Sequence, residues 1–132
     1  MHSVDTPTTK LYLRDDGVLV ALGINPEIPR TTETVDLVMD ALAEVAGEER
    51  RPVLWDVRNL SAGSLDSVGV FVARVEESVS ALGLLIDDGA AAELLTRVEA
   101  FSPIVDALLV PVQLFREEAE AVAWLQEFVG PD

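Results

Sequence analysis

Apolar and polar positions change period several times along this chain, and each change marks an element. Lys10 to Arg14 alternates, with Leu11 and Leu13 on one side and Tyr12 on the other. Asp16-Gly17 separates this run from Val18-Leu19-Val20-Ala21-Leu22, which predicts a β-hairpin. Asn25 to Arg30 carries two prolines and reads as a loop. Val35, Val38, Met39, Leu42 and Val45 then recur at helical spacing, with Thr31 or Thr32 as the cap and Gly47 as the stop.

Pro52 opens a short apolar strand, Val53 to Val57, and Asn59 to Gly63 is a loop. Ser64 can cap a second helix whose buried stripe is Val68, Val72, Val75 and Val79, with Gly83 as its end. Leu84-Leu85-Ile86 reads as a strand ending at Asp87-Asp88-Gly89. A third helix is expected from about Ala90 to Ala100, broken by Ser102-Pro103. Ile104 to Val110 fits a helical turn or extended chain equally well. Val112 to Phe115 reads as the last strand and Glu117 to Val129 as the last helix, with Val122 and Leu125 inward.

The order ββ-α-β-α-β-α-β-α predicts an α/β fold. It is a mixed five-stranded sheet with an N-terminal β-hairpin and about four helices. Val53–Val57 and Leu84–Ile86, apolar on both sides, should be inner parallel strands. Residues 1–9 are polar and read as a flexible N-terminus, leaving residues 10–132 as one domain.

Composition narrows the chemistry. The chain of 132 residues is 49% apolar but only 5% aromatic, so its core is chiefly leucine, valine and alanine. It has no cysteine, and its one histidine is His2. Disulfides, thiol catalysis and thiolate metal sites are excluded, and a histidine triad or zinc site is not expected. No metal and no cofactor is expected. The formal charge is −15, with Lys10 the only lysine, so phosphate backbones and anionic membranes are repelled. No signal-peptide pattern and no run approaching ~20 apolar residues is present, which points to a cytoplasmic protein without membrane insertion. Phosphate-binding glycine loops are absent.

Several polar residues stand where a site could form. Asp56 lies inside this apolar strand run, and Arg58 lies on the same side if the strand continues. The commoner reading is an ion pair at a strand end. The functional reading is a carboxylate at the carboxyl edge of the sheet, where ligands of open α/β folds bind. Asp87 and Asp88 end another strand and could join Asp56 around a hard cation, though capping the next helix is the more usual role. Ser64, Asp66 and Ser67 open the second helix, whose N-terminus tolerates an anion or a phosphorylated side chain. Simple capping by Ser64 explains the same residues. Trp55 and Trp124 read as core or interface residues.

Val53-Leu54-Trp55-Asp56-Val57-Arg58, Leu84-Leu85-Ile86, and Phe115-Arg116-Glu117-Glu118 running into Ala123-Trp124-Leu125 resemble the STAS-like family of SpoIIAA-like proteins. The resemblance covers residues 10 to 129. It implies a sheet with helices mainly on one side and no enzyme activity. In the anti-sigma-factor antagonists of that group a serine in an Asp-Ser-Ser-Gly-like motif controls partner binding when phosphorylated. Asp66-Ser67-Val68-Gly69 is similar, which would make Ser67 the regulated serine. Other relatives of the fold resemble lipid-binding modules. The function expected is therefore a non-enzymatic regulatory or protein-interaction domain. The alternative is a binder or carrier of a small apolar, lipid-like ligand. A homodimer is expected, because a sheet edge must be covered or paired.

Overall fold

The computed structural model describes residues 3–24, 28, 31–56, 65–86 and 110–129; between 65 and 72 it describes the side chain of Val70 alone. The hairpin forms where the Asp16-Gly17 signal lies. Strands β2 (Thr9–Leu13) and β3 (Leu19–Gly23) pair antiparallel, with Leu13 opposite Leu19. Arg14 N–H donates to Val18 O at 2.9 Å and Gly17 N–H to Arg14 O at 3.1 Å, with Gly17 at φ 91°. A side chain at that φ is strained, and a Cβ on Gly17 would also sit 2.9 Å from Val129 Cγ1. Both constraints demand glycine.

The N-terminal residues depart from the expected flexible arm. Ser3–Asp5 forms an edge strand, β1, antiparallel to β2, with Val4 opposite Leu11. The turn between them is closed by Thr6, whose Oγ1 accepts from Thr9 N at 2.9 Å and donates to Thr9 O at 3.0 Å. Three residues are too few to show an alternating pattern, so this strand leaves almost no sequence signal. It makes the sheet six-stranded rather than five-stranded, in the order β1-β2-β3-β4-β5-β6.

Helix α1 (Thr32–Ala46) begins at Thr31, whose side chain accepts from Thr34 N at 3.2 Å, while Thr34 Oγ1 accepts from Thr31 N at 2.7 Å. This reciprocal pair satisfies donors that the helix itself cannot. Gly47 ends the helix, its N–H donating to Ala43 O at 3.1 Å. Strand β4 (Arg51–Asp56) then enters the sheet parallel to β3, and α2 (Leu65–Ser78) follows.

Helix α2 is shorter than its valine spacing suggests. Strand β5 (Val79–Leu85) starts directly after Ser78, so Val79 is the first residue of a strand and not the last of a helical stripe. Gly83 lies inside β5 and does not cap α2. A Cβ there would meet Leu125 Cδ1 at 3.2 Å and Phe115 Cε2 at 3.5 Å, so the glycine lets a helix lie close on the strand. Strand β6 (Val112–Phe115) completes the sheet, parallel to β5, and α3 (Glu118–Gln126) is the last described helix. β4 and β5 are inner parallel strands, as their two-sided apolar character predicts. Among the described residues there are three helices; the helix expected over residues 90–100 lies outside them.

The two faces of the sheet carry separate cores. Leu11, Leu19, Ala21, Val53, Trp55 and Leu82 meet Val38, Met39, Leu42 and Val45 of α1 and Val75 of α2. On the opposite face Val20, Leu54, Ala81, Leu85 and Phe115 meet Ala121, Val122 and Leu125 of α3. Strand alternation divides these sets, so adjacent residues such as Val53 and Leu54 serve different layers.

Candidate functional site

The carboxyl ends of β3, β4, β5 and β6 lie side by side, because these strands are parallel neighbours. Asp56 is the last residue of β4 and is only 8% exposed. Its register partners are Leu22 of β3 and Leu85 of β5. Leu54, two residues earlier, belongs to the α3-facing core, so Asp56 points to the same face. A carboxylate is thus set into an apolar rung at the strand ends, and it is not left free there. Arg58, the ion-pair partner that the sequence suggests, lies outside the described residues, as do Asp87, Asp88 and Ser64.

Asp66 and Ser67 are the second and third residues of α2, so both fall in the first turn of the helix that follows β4. Their side chains lie outside the described set. A serine in a first helical turn sits beside unsatisfied backbone N–H groups, where added negative charge is favoured. The structure sets Asp56 on the face covered by α3, whereas α2 packs through Val75 on the opposite face. It joins no three acidic or imidazole side chains into a metal-binding group among the described residues.

Polar anchoring is concentrated elsewhere. Arg74 of α2 reaches α1, donating to Asp36 Oδ1 at 2.6 Å and Asp40 Oδ1 at 2.7 Å, with Glu77 at 3.6 Å. Its hydrogen bonds to Asp40 and Asp36 hold the guanidinium pKa above the ordinary value. At the hairpin, Asp16 Oδ1 accepts from Val18 N at 3.1 Å and Asp16 Oδ2 accepts from Gln126 Nε2 at 3.0 Å. Burial pushes the Asp16 carboxyl up, but the Val18 N–H, the Gln126 amide and the Arg14 guanidinium together hold it below the ordinary value.

Two open grooves lie between described residues. One, of about 420 Å³, runs between the hairpin and α3, bordered by Arg14, Glu118, Val122 and Gln126. The other, of about 340 Å³, runs between β1 and α1, with Val4, Leu37 and Ala41 in it and Asp40 and Glu44 beside it. Sequence reasoning missed the second groove. The one available signal was Leu37, a large apolar residue off the buried stripe of α1 and 48% exposed. No helix among the described residues is long and apolar enough to cross a membrane.

The arrangement of strands and helices matches a known fold. A family model described as a domain of unknown function, DUF7793, matches residues 11–129. The chain belongs to the DUF7793 family. A solved structure similar to this DUF7793 chain is an uncharacterized protein of the DUF3478 family from Shewanella loihica PV-4, with a SpoIIAA-like fold. It aligns with a TM-score of 0.60 at 15% identity, over 95% of this chain and 98% of that one. The likeness establishes the SpoIIAA-like fold that the sequence resemblance implied. No curated protein matches the DUF7793 chain.

Proposed function

We propose that this DUF7793 protein is a cytoplasmic, non-enzymatic regulatory domain that binds a protein partner, with Ser67 as its control point. The observation that carries this reading is the position of Ser67 in the first turn of α2, the next described element after inner strand β4. In the anti-sigma-factor antagonists that the sequence resembles, a serine opening the helix after a central strand is phosphorylated to release the partner. Phosphate on Ser67 would be tolerated by the helix N-terminus and would add about two negative charges to the surface around it. The fold would stay intact while the contact surface changes.

The test is affinity purification of a stable partner with wild-type, Ser67→Ala and Ser67→Asp proteins. Ser67→Ala should retain the partner and Ser67→Asp should lose it, with thermal midpoints of all three nearly equal. Equal retention by all three proteins overturns the proposal.

A further inference from the structure

The edge strand β1 and helix α1 leave a groove that the fold itself does not fill. Val4, Leu37 and Ala41 supply its apolar surface. Leu37 is 48% exposed, and Leu114, at 38%, is the other exposed large apolar side chain among the described residues. Among the described residues β1 ends the sheet and pairs with β2 alone, which leaves its outer backbone groups open to another strand. The neighbouring row of α1 is acidic. Asp36, Asp40 and Glu44 recur every four residues, beside Leu37 and Ala41, and α1 has no lysine or arginine. Arg74 is the cation that reaches this row, and its one charge is shared among Asp36, Asp40 and Glu77. Glu44 has no ion-pair partner among the described residues, so the wall stays negative.

We propose that this groove docks an extended basic segment of a protein partner. The segment adds a strand to β1, seats an apolar side chain on Leu37 and aligns lysine or arginine with Glu44 and Asp40. Strand addition to an open edge takes its affinity from backbone pairing and its selectivity from alternate side chains. The charge of −15 opposes a second copy of the chain or an anionic lipid surface in the same place. The inference deepens the reading of the protein as an interaction domain and rests on it, while leaving Ser67 aside.

The experiment uses the full chain and a fluorescent peptide of alternating lysine and valine, with a glutamate-for-lysine peptide as control, read by anisotropy. The lysine peptide should bind saturably and the glutamate peptide should not. Leu37→Ser and Glu44→Lys should each weaken binding by about tenfold, the size expected when one anchor of a small interface is lost. Both positions are exposed, so thermal midpoints should hold, and Leu114→Ser, on the far edge, should leave binding unchanged. Equal binding of the two peptides overturns the proposal, as does indifference to Leu37→Ser and Glu44→Lys. A dimer that Leu37→Ser dissolves would assign the groove to a second copy and overturn it as well. Loss of this site with the Ser67 switch still working removes the groove and leaves the regulatory reading standing; the converse removes the switch alone.

Discussion

The two helical layers of this domain are specified in different ways. Helix α1 carries its boundaries in its own residues: Thr31 and Thr34 close its start reciprocally, and Gly47 closes its end. Helix α3 has no side-chain hydrogen bond at its N-cap, Glu117, and is only nine residues long. It is held by what it touches. Leu125 rests on Gly83, and Trp124 lies between Phe115 and Phe128, with ring centroids at 5.6 and 4.9 Å. Gln126 reaches back to Asp16 across the whole sequence. Short isolated helices are marginal in water, so α3 depends on these distant partners far more than α1 does on its own.

The largest effect that would break this comparison lies at the contact between α3 and β5. Leu125→Ala empties a fully buried position and should cost about 3 kcal/mol in urea unfolding. Gly83→Ala sets a methyl group 3.2 Å from Leu125 Cδ1 and should cost about 1 kcal/mol. In a Leu125→Ala background the added methyl finds space, and its cost should vanish or reverse. Strict additivity of the two changes would show that this contact does not hold the helix.

The caps sharpen the same comparison at a smaller scale. Thr31→Ala removes the half of the α1 cap in which Thr31 Oγ1 accepts from Thr34 N, leaves the Thr31 N–H bond to Thr34 Oγ1, and should cost about 1 kcal/mol. Amide exchange should quicken in the first turn of α1 and nowhere else. Glu117→Ala at the corresponding place on α3 has no side-chain cap bond to lose, so its midpoint should move by less than about 0.5 kcal/mol. A larger loss at Glu117 than at Thr31 would reverse the contrast.

What could be read from the sequence follows the same divide. The hairpin at Asp16-Gly17, the start of α1 at Thr31 or Thr32 and its stop at Gly47 were legible because each is a rule about neighbouring residues. Gly83 was misread because a glycine after a valine stripe looks like a helix stop. Its real cause is Leu125, more than forty residues away. Val79 continued the helical spacing of Val75, and no loop separates α2 from β5 to show the change of period. Of the candidate site, the strand-end position of Asp56 and the first-turn position of Ser67 follow from element boundaries alone. The groove beside β1 does not, because it depends on a strand of three residues meeting a helix thirty residues later.

The smallest expected effect concerns the polar tie that joins α3 to the hairpin. Asp16 serves the turn through Val18 N–H and serves α3 through Gln126, with Arg14 Nη2 at 3.2 Å. Its folded pKa is lowered, because these partners outweigh the burial that pushes it up. A carboxylate with a lowered folded pKa adds stability above its unfolded value of about 3.9. That stability is lost as pH falls through the lower folded value. Asp16→Asn keeps an oxygen for Val18 N–H but removes the charge facing Arg14. The group is partly exposed and screened, so the substitution should cost only about 0.5 kcal/mol near neutral pH. Once the pH has fallen through the lowered folded value the wild-type carboxyl is itself neutral, and the two proteins should converge. Urea midpoints measured across that range decide the matter. A difference that stays constant down to acid would mean that the hydrogen bond from Gln126, and not the charge, carries the tie to α3.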